Sequence, residues 1–372
     1  MQEGNWVTER LKLIIDKTQK TLDKCGTGMI PYQSEFGEYK EDKSKTDIAW
    51  WTNGFWGGWL WQLNQYNPSQ SFEDAAIQNE VELDEAFLKY EGLHHDVGFM
   101  WLPTAVAHYR YNQDKKAYWR GRHAADILAS RYNPEGKFLR SWNRDRSGWV
   151  IIDSMINIQL LFWASEVTND PRYSQMANAH AYTVMNNHVR LDGSVSHIVV
   201  FDPQTGEKVR TETGQGYGPN SCWSRGQSWA IYGFSLAYHH TKKIEYLQTA
   251  KKTANYFLAN VSQTNYVPVI DFKSPKKEGT DTSAASIAAC GMLEIANYCT
   301  GSEAELYRNG AIRMLEILDR KYANYDIDFD GILNGATTAF HEEKGRNINL
   351  NYGDYYYIEA LMRIINQYSL IW

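Results

Sequence analysis

The feature that most constrains this chain is a repeated helical mark. An aromatic residue follows a polar turn, and a small residue comes three or four positions later. Phe72 has Ala75 and Ala76, Tyr118 has Gly121, Tyr173 has Ala177, Tyr246 has Ala250, and Tyr307 has Gly310 and Ala311. Three or four residues along a helix return to the same face, so ring and small residue share one stripe where a neighbouring helix can come close. The mark recurs at intervals of 46 to 73 residues, which describes helical hairpins joined by loops of unequal length.

Apolar spacing of 3.6 residues predicts about twelve helices, near 6–23, 54–66, 71–91, 97–112, 115–131, 153–168, 171–189, 226–240, 243–260, 282–299, 302–322 and 354–368. Strand-like alternation is confined to Ser194–Phe201 and Val267–Phe272. The expected fold is all-α: six hairpins closed into an (α/α)₆ toroid, as a single domain over 1–372. At 372 residues the chain exceeds the usual size of one core, but each added hairpin brings its own strip of core. An open solenoid is the competitor. It would need polar capping faces, whereas the final segment YYYIEALMRIINQYSLIW is strongly apolar and needs burial. The long connections 132–152, 190–225, 262–281 and 323–353 are then expected to gather as site loops.

Charge excludes some functions. With 38 basic and 44 acidic residues and no basic block, nothing marks a nucleic-acid binder. No apolar run is long enough for a membrane span. Four scattered cysteines without metal spacing read as reduced thiols. With the charged N-terminal residues, which do not resemble a signal peptide, they predict a cytoplasmic protein. Nothing calls for a partner chain, so a monomer or weak homo-oligomer is expected, without cofactor or metal.

Two acidic motifs are candidate chemistry. Leu93-His94-His95-Asp96-Val97-Gly98-Phe99 precedes a helix, and by residue type alone Asp96 reads more readily as its N-cap than as a catalyst. Ile151-Ile152-Asp153-Ser154-Met155 sets an acid among apolar residues. Capping is again the bland reading, but such a carboxyl resists ionisation and becomes a useful general acid. The 14 Trp, 25 Tyr and 13 Phe mostly pack a core. Those beside glycine in loops could instead stack on sugar rings. Packing is favoured for Trp56 and Trp59, while Trp51 and Trp229 stay open. Asp326-Ile327-Asp328-Phe329-Asp330-Gly331 mimics a calcium loop, but Thr337 occupies its twelfth position, so it reads as an acidic turn. Gly214-Gln215-Gly216-Tyr217-Gly218 lacks the preceding strand and the following Lys of a phosphate loop.

Taken in order, the blocks WTNGFW (51–56), LHHDVGF (93–99), IIDSMIN (151–157), FDPQTG (201–206), WSRGQSWAIYG (223–233), DTSAASIAACG (281–291) and YGDYYYIEAL (352–361) resemble glycoside hydrolase family 88, the unsaturated glucuronyl hydrolases. The resemblance implies an (α/α)₆ barrel that releases 4,5-unsaturated uronic acid from lyase-generated glycosaminoglycan oligosaccharides by hydrating the C4=C5 enol ether. It makes Asp153 the main acid/base and Asp96 the second essential carboxylate, expected to ionise more readily beside His94 and His95. It implies that Trp51, Trp142 and Trp229 border the sugar, and that His95, His197, Gln215, Arg225 and Lys344 contact it. Arg225 would clamp the uronate carboxylate, and the alternative for it is a structural ion pair. Where sulfate-preferring relatives carry serines, this chain has Ala339 and Glu342, which speaks against sulfate there. The rival readings are an unsaturated rhamnogalacturonyl hydrolase, a non-catalytic sugar-binding barrel and, last, a barrel epimerase.

Overall fold

The structure is a computed structural model that describes residues 2–35 and 37–372. In chain order the elements begin with α1 (Gln2–Cys25), β1 (Gln33–Glu35), β2 (Glu38–Tyr39), α2 (Lys43–Thr46), α3 (Phe55–Tyr66) and α4 (Gln70–Lys89). Next come α5 (Val97–Trp101), α6 (Ala107–Asn112), α7 (Lys115–Ala129), β3 (Tyr132–Asn133), β4 (Phe138–Leu139) and β5 (Trp149–Ile151). Then follow α8 (Ser154–Asn157), α9 (Gln159–Thr168), α10 (Pro171–His188), β6 (Ile198–Phe201) and β7 (Lys208–Glu212). The chain continues with α11 (Ser224–Thr241), α12 (Ile244–Val261), α13 (Thr282–Ala296) and α14 (Gly301–Lys321), and closes with β8 (Ala336–Thr337), β9 (Arg346–Leu350) and α15 (Asn351–Ile364).

The helices form two concentric rings. The inner ring is α3, α5–α6, α8–α9, α11, α13 and α15, and the outer ring is α4, α7, α10, α12, α14 and α1. Packing of α15 against α3 closes the circle, so the toroid holds and the open solenoid does not. Inner helices are buried around most of their girth: α11 is buried from Ser224 to Ala237 and α13 from Thr282 to Ile295. The repeated mark lies on the outer helices. A methyl on Gly121 of α7 would sit 2.7 Å from the Trp163 ring of α9, and one on Gly310 of α14 would sit 2.8 Å from Leu258 of α12.

The inner ring closes through glycine. An added methyl at Gly58 would lie 2.5 Å from Pro103 and 2.7 Å from Tyr355; at Gly98, 2.5 Å from Asn157 Cα. At Gly233 it would lie 2.4 Å from Met155, at Gly291 2.9 Å from Tyr232 Cα, and at Gly353 3.2 Å from Ser283. Each contact joins adjacent inner helices, and only a missing side chain permits backbones this close.

Several boundaries depart from expectation. The segment 97–112 is interrupted by a π-helical turn, Leu102–Val106, where the Ala107 N–H bonds to Leu102 O. Pro103 has no N–H and crowds the carbonyl four residues back, so the ladder widens around it. The segment 153–168 is divided at Ile158. Val267–Phe272 is not a strand and makes only an isolated bridge, Trp223 with Asp271. The last helix stops at Ile364, yet Ile371 and Trp372 are fully buried, Trp372 stacked on Tyr356 at 5.7 Å. The calcium-loop mimic holds an internal cation instead: the Lys17 ammonium donates to the carbonyls of Asp326 (2.6 Å) and Phe329. Among the described residues no helix is long and apolar enough to cross a membrane.

The long connections meet at one end and bond to each other. Ladders β5-β6-β7 and β2-β1-β9-β8 tie them pairwise. Ser224 N–H donates to Ile270 O at 3.0 Å, and Phe340 N–H to Gln215 O at 2.8 Å.

We predict that Gly233→Ala destabilises the protein by about 1–3 kcal/mol in denaturant unfolding, because the new methyl overlaps Met155 in a packed core. Gly218→Ala, with nothing within 4 Å, should change stability by less than about 0.5 kcal/mol.

Candidate active site

The loop-bearing end places the starts of α5 and α8 side by side. Asp96 and Asp153 stand at the N-cap positions of these two neighbouring inner helices, and neither side chain makes a capping hydrogen bond. The capping reading of both residues therefore falls away. Asp153 is 7 % exposed, and its Oδ1 is buried without a hydrogen-bond partner among the described residues. Asp96 Oδ1 lies 3.3 Å from His95 Nε2. Asn157 accepts the Phe99 N–H at 2.7 Å, donates to Asp153 O at 3.2 Å, and sits 3.4 Å from His95 Nδ1. With Nδ1 facing the Asn157 amide, the His95 proton resides on Nε2 and points at Asp96.

Burial raises both acids. It pushes Asp153 up to about 7, against the pull of the Arg225 charge. Burial, helped by the charge of Asp153, pushes Asp96 up to about 8, while Arg131 and Asn157 act the other way. The charge of Asp153, once formed, makes Asp96 harder to ionise. Burial thus works against the ready ionisation expected of Asp96. The histidines expected to favour its charge are neutral: burial and Arg131 hold His94 low and His95 well below the usual imidazole value.

His197 is 5 % exposed, and its Nδ1 accepts the Gly214 N–H at 3.2 Å. The proton therefore sits on Nε2, a buried donor without a partner among the described residues. Burial holds this ring neutral, at about 3. Trp51 is half-buried and tilts against Tyr352 at 4.9 Å and Phe99 at 5.4 Å. Trp142 is half-buried, edge-on to His95 at 6.4 Å. The half-buried Gln215 ties its loop to Phe340 through its carbonyl.

One assignment changes, and two more residues take settings of their own. Trp229 is fully buried under Phe99 and Tyr356, so it forms the floor beneath the site rather than its wall. Arg225 is 1 % exposed and paired with Asp281, and it also donates to the carbonyls of Thr337 and Thr338 at 2.7 Å. The ion pair and the two carbonyls occupy part of its fork, while its Nε is buried without a hydrogen-bond partner among the described residues. Lys344 is exposed on a short turn, Glu343–Gly345. Nearby Arg346 is engaged by Glu278 at 3.4 Å and lies over Phe340 at 5.6 Å. Glu342 accepts from Thr338 Oγ1 at 3.1 Å, which keeps a carboxylate on this loop.

Sequence reasoning gave no role to Asn157, Arg131, Tyr352 or Asp281. Asn157 was within reach, since it follows Asp153 by four and shares its face. Arg131 carries no sequence signal. Its guanidinium donates to Arg140 O (2.9 Å), Asn143 Oδ1 (2.9 Å) and Ser141 O (3.2 Å), which fixes the loop that carries Trp142.

An inner-ring mouth with two carboxyls raised by burial and flanking aromatic rings fits a glycosidase of the (α/α)₆ type. The sequence profile of Glycosyl Hydrolase Family 88 matches residues 26–357, and the chain belongs to that family. It is 37 % identical over 336 residues to the unsaturated chondroitin disaccharide hydrolase of Streptococcus pneumoniae, covering 88 % of this chain and 84 % of the relative. The crystal structure of the Streptococcus agalactiae unsaturated glucuronyl hydrolase superposes with a TM-score of 0.92 at 33 % identity, covering 99 % of this chain and 94 % of that one. A variant of that enzyme complexed with dGlcA-GalNAc6S superposes with a TM-score of 0.85 at 32 % identity, covering 99 % and 94 %.

The carboxyl pair sets a pH signature. Both folded values lie above the ordinary carboxylate value of 3.8, so the native state binds the extra protons. Their stabilising contribution is complete below that value and is lost as pH rises through about 7 and 8. Asp153→Asn should therefore be more stable than the parent at pH 8 and no more stable at acid pH, as read by denaturant midpoints at the two pH values.

Proposed function

We propose that this protein releases 4,5-unsaturated uronic acid from the non-reducing end of lyase-generated glycosaminoglycan oligosaccharides, with Asp153 as proton donor and Asp96 as its partner. The observation that carries this reading is the buried, partnerless Oδ1 of Asp153 at the start of the helix next to the one that Asp96 opens. A carboxyl pushed up to about 7 still carries a proton to give near neutrality, which suits protonation of an electron-rich alkene carbon. The relatives named for chondroitin disaccharides, and the one complexed with dGlcA-GalNAc6S, support the uronyl-hexosamine class of substrate.

In this scheme Asp153 gives its proton to C4 of the enol ether, and positive charge develops at C5 and the ring oxygen. Water adds at C5 and passes its proton to the ionised carboxyl pair. The resulting hemiketal opens by breaking the C5–ring-oxygen bond. The hemiacetal left at C1 then expels the neighbouring sugar as its alcohol. Asp96, tied to His95 and near Asn157, orients the water or a sugar hydroxyl. The Nε2–H of His197 offers a donor to the sugar, and Trp51 and Trp142 offer ring faces. Glu342 and the engaged Arg346 disfavour a sulfate at the loop 339–346. The four free cysteines support a cytoplasmic location.

Unsaturated chondroitin, hyaluronan, heparin and rhamnogalacturonan disaccharides should be compared by loss of enol-ether ultraviolet absorbance. Turnover of a uronyl-hexosamine substrate is expected, and Asp153→Asn should lose activity by roughly 10²–10⁴-fold. Turnover of the rhamnose-linked substrate alone would overturn the substrate class, and an active Asp153→Asn would overturn the mechanism.

A further inference from the structure

Asp153 opens α8, yet its carboxyl does not cap that helix. The backbone around it explains why. The Met155 N–H already bonds to Ile152 O at 3.0 Å, and the Ile156 N–H to Asp153 O at 3.1 Å, so the amides that a capping side chain would take are satisfied. Such a tight turn has to be held in place, and the hold comes from outside the inner ring.

His180 sits on the outer helix α10 and is fully buried. Its Nδ1 accepts the Leu139 N–H at 2.9 Å, which places the ring proton on Nε2. Nε2 lies 2.8 Å from Ser154 Oγ and donates to it, and the hydroxyl in turn donates to Ile151 O at 2.6 Å. Each proton of this relay has one direction, and all four residues are buried. Burial holds the imidazole neutral, at about 3, so it acts on the site through geometry alone.

The neighbouring backbone is fixed in the same manner. The Ile151 N–H donates to Ser141 Oγ at 2.8 Å, the Ile152 N–H to His197 O at 3.0 Å, and His188 Nε2, also from α10, to Val150 O at 3.1 Å. The Ile151 side chain packs with Ile198 and Val200 beneath the aromatic platform of Trp142 and Trp149. Leu139 closes β4, two residues before Ser141 and three before Trp142. His180 therefore joins two segments, the turn that presents Asp153 and the loop that presents Trp142.

From these contacts we propose that His180 is a positioning residue, which through Ser154 holds the turn 151–154 in the form that keeps the Asp153 carboxyl off its own helix and free for the substrate. The proposal rests on the functional reading above, in which Asp153 donates the proton. Without the relay the turn relaxes, and the carboxyl falls back onto the helix N-terminus, where N–H groups favour its ionised form.

Two substitutions separate the halves of the relay. His180→Asn keeps an acceptor for the Leu139 N–H and loses the donor to Ser154, whereas His180→Gln keeps a donor near Nε2 and loses the acceptor. Each leaves one buried partner unpaired, so melting temperatures should fall alike. Ser154→Ala removes the middle of the relay with little change in volume, and it carries the comparison if His180→Asn does not fold. Two quantities are read: kcat and KM for an unsaturated uronyl-N-acetylhexosamine disaccharide, and the titration of the Asp153 carboxyl by infrared difference spectra against Asp153→Asn. His180→Asn and Ser154→Ala should lower kcat roughly 10–100-fold with KM retained, the scale expected of a displaced reacting group. Both should move the Asp153 titration to lower pH, and His180→Gln should recover most of the two effects. Asp96, Arg225 and the Tyr356 hydroxyl, which face Asp153, are the same in every variant. Equal losses in His180→Asn and His180→Gln would make His180 a packing residue and overturn the proposal, as would an unmoved titration in His180→Asn or Ser154→Ala. An unsubstituted protein that turns over no substrate would overturn the functional reading, and the titration alone would then decide the relay.

Discussion

Everything at the catalytic end depends on how closely the inner helices approach one another. Gly58, Gly98, Gly233, Gly291 and Gly353 remove the side chains that would hold neighbouring backbones apart. The contact of Gly98 with Asn157 does the most, because it joins the first turn of α5 to α8. Asp96 and Asp153 begin those two helices, so a packing contact becomes a meeting of two carboxyl groups that are distant in sequence. Close packing also excludes water, and exclusion of water raises both acids. Fold and acidity have one cause here.

The cations nearby are arranged so that they do not undo this effect. Arg225 exerts a pull on Asp153, yet its guanidinium is committed to Asp281 and to two carbonyls of the chain entering the loop 339–346. Arg131 pulls on Asp96 while acting as a clasp for the Trp142 loop. The buried histidines are neutral, so they orient groups without adding charge. The site therefore combines strong hydrogen-bond definition with weak electrostatic bias, which suits a proton that must leave and return.

The sequence made much of this legible, and the gaps have physical reasons. Helix positions followed from 3.6-residue spacing because inner and outer helices bury very different faces. The hairpin mark was readable because Tyr246 and Gly310 lie in local patterns that pack against adjacent helices. The π-helical turn at Leu102–Val106 was not read from periodicity, although Pro103 marked the place. Val267–Phe272 alternates like a strand, but the whole segment is buried and pairs only through the isolated bridge of Trp223 with Asp271. The two aspartates were visible as acids among apolar residues. Their relative ionisation was not, because it depends on Arg131 and on the mutual charge of the pair. The pairing of Arg225 with Asp281 was not legible because the partner comes from another hairpin, nor was the depth of Trp229, because a buried floor and an open wall carry the same residue type.

The small cluster under Trp142 has an implication for descent. Ile151, Ile198 and Val200 support the Trp142 and Trp149 rings from one face of a three-stranded sheet whose other residues, Val150, Val199 and Phe201, join the main core. The glycine-closed ring, by contrast, tolerates almost no change. A lineage built this way can retilt or replace its platform, and so alter which oligosaccharides it reads, while the acid pair stays fixed. Innovation is confined to one corner of the molecule, and the chemistry is inherited whole.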